Sequence, residues 1–331
     1  MAQRKLSAAA STSSSMPPNR QPGILKPRAL RPGDTVGVVA PASSFVRADF
    51  EAGCDVLRGM GYKVVFDESI FDRDLYFAGS ATRRARELES MFTRDDVDAI
   101  ICARGGYGAN YLLPLLDVKK IAAHPKPFIG YSDVTSLMTY LYDSIGLVTF
   151  HGPMVAKDFA KQDGVEPGSW AAALTGTSAN FNLAAGSLMQ SLVHGSAEVV
   201  LYGGCLSMLT ASLGTPYEIH TEGTILFIED IATKPYQIDR MLMQLKLAGK
   251  LAGVRGIIFG EMLDCVQPGN QSYTLQEVIM RIVGDLGIPV AYGLRSGHVS
   301  RSTITLPIGV RAKLDVTDSN VVLTIAESPT T

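Results

Sequence analysis

The sequence has little cysteine, and its few cysteines form no recognisable metal or redox motif. Four stand at positions 54, 102, 205 and 265 of a 331-residue chain, and none belongs to a C-x-x-C pair. Structural zinc sites and thioredoxin-like redox sites depend on such closely spaced pairs. We therefore expect neither kind of site, and the isolated cysteines suit a reducing compartment.

Clustered positive charge and long apolar runs are absent as well. The formal net charge is −2, and the sequence has none of the lysine and arginine clusters that nucleic-acid binding requires. No apolar run approaches the roughly 20 residues that span a bilayer. Residues 1–27 are rich in Ser, Ala and Pro and lack the apolar core of a secretory signal. We predict a disordered tail there, a cytoplasmic location, and neither a nucleic-acid nor a membrane partner.

Strands and helices alternate through residues 28–160, which we predict to form the first domain. The pattern predicts strands near residues 35–40, 62–66, 97–103 and 127–131, and helices at residues 47–60, 82–92, 110–116 and 132–145. Strands that alternate with helices are typical of a parallel sheet covered on both faces. The predicted fold class is therefore α/β.

Composition changes at residues 161–195, where small and polar residues predominate and the periodicity fades. We predict an interdomain connection over this range and a second domain over residues 196–331. The predicted elements of the second domain are strands at residues 197–202, 224–229, 256–260 and 289–292, helices at 234–247 and 274–286, and a strand-like alternation at 302–327.

Ser132 lies where a chemical site is expected in such a sheet. Ligands bind at the carboxyl ends of the strands in open α/β sheets, and Ser132 follows an apolar strand directly and begins a helix. A serine at this junction resembles a nucleophile elbow, and the helix N-terminus would favour an oxyanion. A helix cap is the alternative, because Ser and Asp are good caps. Val134 stands where G-x-S-x-G would place its second glycine, which disfavours an ordinary α/β-hydrolase.

A glycine-rich segment, RGGYG at residues 104–108, follows the neighbouring predicted strand. Its glycines allow backbone N–H groups to come close to a ligand, so an oxyanion donor, a phosphate cradle and a flexible turn all remain open. It is not a P-loop, because no G-K-[ST] follows.

An activated serine needs a base and an orienting carboxylate. Of the five histidines, His151 follows a short apolar run and His298 follows a predicted strand and a Gly/Ser loop, and position favours His298 slightly. Glu229 and Asp230 end an apolar strand, and alternation sends their side chains to opposite faces. Spacing alone does not choose between these two acids.

Eight short segments occur along the chain in the same order as in a known protein family. They are residues 32–36 leading to 40–43 (PGDTV, APAS), 104–108 (RGGYG), 130–133 (GYSD), 151–153 (HGP), 203–207 (GGCLS), 214–216 (GTP), 228–230 (IED) and 297–298 (GH). With these segments the chain resembles the L,D-carboxypeptidase family of serine peptidases, family S66, from about residue 30 to residue 325.

The resemblance implies a Ser–Glu–His triad of Ser132, Glu229 and His298. It also implies an oxyanion hole of the Gly106 and Asp133 N–H groups.

The resemblance further implies a flavodoxin-like first domain, a smaller β-rich second domain, a homodimer, and no metal or other cofactor. The implied substrate is a murein tetrapeptide, from which the terminal D-Ala is removed in peptidoglycan recycling.

The segment before His298 departs from the family pattern, because Arg295 and Ser296 stand where Pro and an apolar residue are common. This departure concerns substrate preference more than the reaction. We expect Arg104, Tyr107, His151 and Arg295 to contact the substrate, with Arg104 or Arg295 neutralising its terminal carboxylate. Two alternatives remain: a microcin C-type self-immunity peptidase acting on aminoacyl-nucleotide conjugates, and a non-catalytic muropeptide-binding protein.

Overall fold

The structure is a computed structural model, and it describes residues 23–176, 181–182, 189–266, 269 and 272–331. Two β-sheets with helices packed against them make up this part of the chain. Both sheets have parallel strands in their centres and antiparallel pairing toward an edge, so the predicted α/β class with a second, β-rich unit is confirmed.

The described strands and helices are numbered in chain order. Strands β1 to β14 are Thr35–Val39, Lys63–Val65, Ala99–Cys102, Phe128–Gly130, Thr149–His151, Phe181–Asn182, Gln190–Val193, Gly195–Cys205, Thr224–Glu229, Gly256–Gly260, Val290–Leu294, Leu306–Ile308, Arg311–Val316 and Val321–Ile325. Helices α1 to α8 are Arg47–Gly59, Ala81–Thr93, Val118–Ala123, Thr135–Ile145, Pro167–Leu174, Leu206–Ala211, Pro235–Leu247 and Leu275–Val283.

The first sheet has the strand order β2-β1-β3-β4-β5, with all five strands parallel, and β12 pairs antiparallel with β5 at its edge. The order 2-1-3-4-5 is the flavodoxin-like arrangement. All residues of β3 and β4 are buried, which is why these strands read as continuous apolar runs rather than as alternating ones.

The second sheet has the order β6-β14-β13-β8-β9-β10-β11-β7. Strands β8 to β11 are parallel, and antiparallel strands flank them on both sides. All six residues of β9 are buried, so the carboxyl end of this strand brings Glu229 into the protein interior.

The two sheets are joined by more than the connecting chain. Strand β12 comes from the second half of the sequence but completes the first sheet beside His151. At the start of α4, the Thr135 hydroxyl accepts a hydrogen bond of 3.1 Å from the N–H of Cys205, the last residue of β8. These contacts hold the carboxyl ends of β4 and β8 together.

The predicted disordered tail is too long at its C-terminal end. Residues 1–22 lie outside the described part. Leu25, however, forms backbone hydrogen bonds of 2.8 and 3.0 Å with Gly146 and Val148, and Lys26 pairs with Glu327 at 2.6 Å. The ordered chain therefore starts before residue 28, because its backbone groups find partners in the folded body.

The predicted connection at residues 161–195 holds regular structure as well, although residues 177–180 and 183–188 lie outside the described part. Helix α5 begins at Pro167 and is capped by Glu166, whose carboxylate accepts from the Ser169 N–H at 2.6 Å. Trp170 is buried against Tyr62 and Phe159. The sequence pattern does not predict this helix, because most of its residues are small and they form no apolar stripe.

The prediction of a helix at residues 110–116 is wrong. Two short 3₁₀ turns, Ala109–Tyr111 and Leu113–Leu115, replace it, and the second contains Pro114. A proline lacks the N–H that a continuous α-helix needs. The regular helix in this region is α3, which starts at the capping residue Asp117.

Arg84 holds together the loops that surround the end of the first sheet. Its side chain is 1% exposed, and its guanidinium donates to the carbonyls of Gly79 at 3.1 Å, Gly108 at 2.8 Å and Pro41. Three loops from different parts of the chain thus share one buried cation. The sequence carries a signal for this, since Arg84 lies four and seven residues before the apolar Leu88 and Met91, on the buried face of α2.

We expect Arg84→Met to lower the free energy of unfolding by about 2–5 kcal/mol, because three buried carbonyls lose their donor. Urea denaturation measures this loss. Arg86→Met is the matched control, since Arg86 lies on the same helix but is exposed, and little change is expected there. Equal stability of the two variants would contradict this role of Arg84.

Candidate active site

Ser132 occupies a strained turn at the carboxyl end of β4. Its φ is 65°, in the left-handed region that non-glycine residues rarely adopt. Ser132 begins a 3₁₀ turn, Ser132–Val134, and α4 starts only after this turn. Neither the turn nor α4 has a side-chain cap hydrogen bond at its start. Ser132 is therefore not the cap of α4. Such strain is typical of functional turns, including the nucleophile elbow.

The glycine-rich segment after β3 lies directly against Ser132. A Cβ on Gly105 would stand 2.9 Å from Ser132 Cβ and 3.1 Å from Ser132 Oγ, so only glycine permits this approach. Gly106 has a φ of 103°, and its N–H makes no hydrogen bond with the described residues. Ser43 fixes the segment, because its Oγ accepts from Tyr107 N at 3.1 Å and its N–H donates to Gly105 O at 3.2 Å.

Glu229 and His298 form a tight buried pair. Glu229 Oε2 lies 2.7 Å from His298 Nδ1 and also accepts a 3.0 Å hydrogen bond from the His298 backbone N–H. The two residues are 0% and 5% exposed, respectively. Two contacts to one oxygen fix the imidazole and assign its proton to Nδ1, which leaves Nε2 as the basic nitrogen.

Glycine is needed again where this pair meets. Gly297 has a φ of 90°, and a Cβ there would stand 2.7 Å from Glu229 Oε2. A Cβ on Gly260 would likewise stand 2.7 Å from Glu229 Cβ. The loop after β11 can therefore bring His298 onto Glu229 only because these positions carry no side chain.

Asp230, the other acid at the end of β9, lies in a separate network. Its Oδ2 accepts from the N–H and hydroxyl of Ser207 at 2.9 and 2.6 Å, and its Oδ1 accepts from Ile231 N and Thr233 Oγ1 at 2.8 and 2.9 Å. The alternation of side chains along β9 separates the two acids, and the acid that meets His298 is Glu229.

His151 lies on the other side of Glu229, fully buried. Its Nε2 is 3.7 Å from Glu229 Oε1, and its Nδ1 is 2.8 Å from Ser296 Oγ. Ser296 Oγ also lies 3.3 Å from the carbonyl of His151 and 3.1 Å from that of Ile304. His151 thus supports Glu229 from inside the protein and does not open to a substrate surface.

The two imidazoles keep Glu229 ionised. Burial by itself would raise the pKa of the Glu229 carboxyl, but His298 and His151 lower this pKa below the usual glutamate range. The Glu229 carboxylate therefore carries its charge at neutral pH despite complete burial.

Tyr131 connects the Ser132 turn with the histidines. Its ring stands edge-on to His298 with centroids 5.1 Å apart, and it lies 5.7 Å from the His151 ring. Its hydroxyl donates to Asp158 at 3.1 Å. The residue that precedes Ser132 in the chain thus packs directly against His298. Ser132 follows β4, Glu229 ends β9 and His298 follows β11, and Tyr131 is the residue through which the Ser132 turn contacts His298.

Asp133, the neighbour of Ser132, carries a buried carboxylate. Its Oδ2 accepts from Ala109 N at 2.7 Å, and its Oδ1 has no hydrogen-bond partner among the described residues. Burial raises the pKa of Asp133 to about 6, although the Ala109 N–H, the Arg84 charge and the Gly108 N–H act in the opposite direction. Asp133 thereby ties the Ser132 turn to the end of the glycine-rich segment.

The residues expected to contact substrate fall in different places. Arg104 is exposed, and it donates to Ser44 O at 3.1 Å beside the glycine-rich segment. Tyr107 is 40% exposed and packs near Phe77 and Tyr111. Arg295 is half-buried and interacts electrostatically with Glu166, the residue that caps α5.

Sequence reasoning missed residues that shape the site. Ser43 lies inside the segment APAS, which supports the family resemblance. Its contact with the glycine-rich segment cannot be predicted from the sequence. Ser296 was noticed only as a departure from the family pattern. The part of the chain that the structure describes has no group of three or more His, Cys, Asp or Glu side chains able to hold a metal ion.

Comparisons with protein families and known proteins agree on one family. A model described as LD-carboxypeptidase N-terminal domain matches residues 36–152, and one described as LD-carboxypeptidase C-terminal domain matches residues 198–314. The chain is 40% identical over 302 residues to the probable murein peptide carboxypeptidase of Bacillus subtilis, with 90% of this chain and 94% of the relative covered.

Solved structures show the same two-domain fold. The muramoyltetrapeptide carboxypeptidase of Oxalobacter formigenes superposes with a TM-score of 0.79 at 30% identity, covering 89% of this chain and 100% of the other. The microcin C7 self-immunity protein MccF, in complex with aspartyl sulfamoyl adenosine, superposes with a TM-score of 0.85 at 26% identity, covering 93% and 100%.

The raised pKa of Asp133 gives a pH-dependent prediction. Because the folded state holds this proton more tightly than the unfolded chain, its contribution to stability is present below about pH 4 and is lost as the pH rises through about 6. Asp133→Asn lacks this loss. Relative to wild type, the variant should gain on the order of 3 kcal/mol of unfolding free energy between pH 4 and pH 7.5, as measured by urea denaturation.

Asp96→Asn is the control for this prediction. A surface hydrogen bond from Arg94 lowers the pKa of Asp96, so the difference between this variant and wild type should change with pH in the opposite direction. A constant difference between Asp133→Asn and wild type across the pH series would refute the assignment.

Proposed function

The chain belongs to the LD-carboxypeptidase family of serine peptidases, and we propose that it removes the terminal D-Ala from murein tetrapeptides. The bond cleaved is the L,D-peptide bond between the diamino acid and D-Ala. The observation that carries the proposal is the buried Glu229–His298 pair beside the strained Ser132 turn. The names of the Bacillus subtilis and Oxalobacter formigenes proteins support this substrate class.

Ser132 is the proposed nucleophile and His298 the proposed general base. Because His298 Nδ1 is held by Glu229, Nε2 is free to take the Ser132 hydroxyl proton as Oγ attacks the scissile carbonyl. The ionised Glu229 then stabilises the imidazolium that forms. The Ser132 hydroxyl makes no hydrogen bond with the described residues, His298 included, so the Oγ–Nε2 hydrogen bond that this transfer needs is proposed to form when substrate binds.

The tetrahedral intermediate collapses when His298 gives its proton to the departing nitrogen of D-Ala. This step breaks the C–N bond and leaves the acyl group on Ser132 Oγ. A water molecule, deprotonated by His298, then attacks the ester and releases the shortened peptide with Ser132 restored. The cycle consumes one water and requires no other reactant.

The Gly106 and Asp133 N–H groups are the proposed oxyanion hole. Gly106 supports this role through its unused N–H and its position beside Ser132. Asp133 supports it as the residue that follows the nucleophile, whose N–H lies in the turn at the start of α4. Donors fixed in this way require little rearrangement when negative charge develops.

We also propose a homodimer in the cytoplasm, acting in peptidoglycan recycling. All four cysteines are free and buried, which suits a reducing compartment. None of the described helices combines the length and apolar character needed to cross a membrane.

A second candidate function is cleavage of aminoacyl-nucleotide conjugates. It is supported by the close superposition on the self-immunity protein, whose structure holds aspartyl sulfamoyl adenosine. A cavity of about 610 Å³ also has Ser300, two residues after His298, in its lining, together with Glu261, Tyr273 and Tyr292 among others. Such a volume can hold either a nucleotide or the remainder of a peptide.

Ser132→Ala should lower turnover of a murein tetrapeptide at least about 10³-fold, because the acyl-enzyme can no longer form. Mass spectrometry of purified tetrapeptide after incubation measures the loss of one D-Ala. Ser136→Ala, on the next helix, is the matched control and should retain near-normal turnover. Near-normal hydrolysis by Ser132→Ala would refute the proposed nucleophile.

The two candidate functions differ in which substrate is turned over faster. We expect kcat/KM for the tetrapeptide to exceed that for aspartyl sulfamoyl adenosine at least about 10-fold when both are followed by mass spectrometry. The reverse preference would favour the immunity function. Tight binding of both compounds without turnover would favour the non-catalytic alternative.

A further inference from the structure

Lys157 is a cation near the proposed triad that the mechanism above does not use. It lies in the π-helical turn Val155–Phe159, shortly after His151, and its side chain is half-buried. Its Nζ stands 5.0 Å from the centroid of the Tyr131 ring. The same ring packs against His298 and immediately precedes Ser132 in the chain.

Within the described residues, no carboxylate comes within 4.0 Å of the Lys157 ammonium. The nearest acid in sequence, Asp158, has its two oxygens occupied by the Tyr131 hydroxyl at 3.1 Å and the Met154 N–H at 2.9 Å. The face of an aromatic ring attracts a cation but replaces only part of its lost hydration. Lys157 is therefore a partly desolvated charge without a paired anion.

The electrostatics at this point agree with the geometry. Burial lowers the pKa of Lys157, while the charges of Asp158 and Glu229 raise it and those of Lys161 and Arg104 lower it. Glu229 and Arg104 are thus both within electrostatic reach of the ammonium. Arg104 immediately precedes Gly105, which lies against Ser132. Lys157 thus contacts the ring of Tyr131, the residue before Ser132, and Arg104 begins the glycine-rich segment that borders Ser132.

We propose that Lys157, together with Arg104, binds the C-terminal carboxylate of the peptide substrate. This inference rests on the proposed carboxypeptidase function and names the group that distinguishes its substrate from an internal peptide bond. The carboxylate lies only two bonds beyond the scissile nitrogen, so its site must be next to Ser132. Lys157 supplies a charge there that forms no ion pair with a carboxylate of the described residues.

Arg295, the other residue expected to neutralise the carboxylate, suits this role less well. Its electrostatic partner is Glu166 at the start of α5. Among the described residues, a contact with Tyr131, the residue before Ser132, is shown for Lys157 and not for Arg295. Lys157 was missed in the sequence because nothing near residue 157 indicates that its side chain turns toward Tyr131.

The test compares a tetrapeptide ending in free D-Ala with the same peptide ending in D-Ala carboxamide. Both are titrated by calorimetry into the Ser132→Ala protein, which binds without turnover. We expect the free acid to bind about 10- to 100-fold more tightly, and Lys157→Met to abolish this preference while leaving the amide affinity unchanged. Lys157→Arg should restore part of the preference.

Lys161→Met is the matched control, since Lys161 lies four residues further along in an exposed position. It should retain the preference for the free acid. An unchanged acid-to-amide ratio in Lys157→Met would overturn the proposal, and so would an equal loss for both peptides, which indicates a structural role.

A different result would contradict the proposed hydrolytic function. If wild type released no D-Ala but the Lys157-dependent preference for the acid persisted in the binding experiment, the carboxylate site would stand and the hydrolytic function would not.

Discussion

The burial of one ionised carboxylate, that of Glu229, governs the arrangement of the site. A charge in the interior is very costly unless it is paired, and here two imidazoles and a backbone N–H surround it. His298 Nδ1 contacts Glu229 Oε2, and His151 Nε2 approaches Glu229 Oε1. These contacts come from two different parts of the chain, the loop after β11 and the end of β5, so the carboxylate holds its partners in place as they hold its charge.

This requirement explains why strand ends from the two sheets meet. Glu229 ends β9 of the second sheet, whereas His151 ends β5 of the first. Strand β12 and the Thr135–Cys205 hydrogen bond fasten the two sheets at this point. A site shared in this way depends on both halves of the chain, and neither half alone carries the Ser132 turn together with the Glu229–His298 pair.

Close backbone approach is the second constraint on the site. Gly105 borders Ser132, and Gly260 and Gly297 border Glu229, at distances that leave no room for a Cβ. Glycine at these positions is a packing requirement rather than a source of flexibility. The strained φ of Ser132 belongs to the same arrangement, because the surrounding loops, fixed by Arg84 and Ser43, determine the shape of the turn.

The sequence by itself determined the α/β class and the approximate positions of most strands, because buried parallel strands leave continuous apolar runs that need no tertiary information. It also placed Ser132 at a strand end, and the family resemblance paired it with Glu229 and His298. Only the tertiary structure decided that Ser132 is not a helix cap, that Asp230 turns to Ser207, and that His151 supports Glu229 from within. It likewise revealed Arg84 and Lys157 as neighbours of the site. These roles depend on contacts between residues far apart in the chain, and local periodicity carries no record of such contacts.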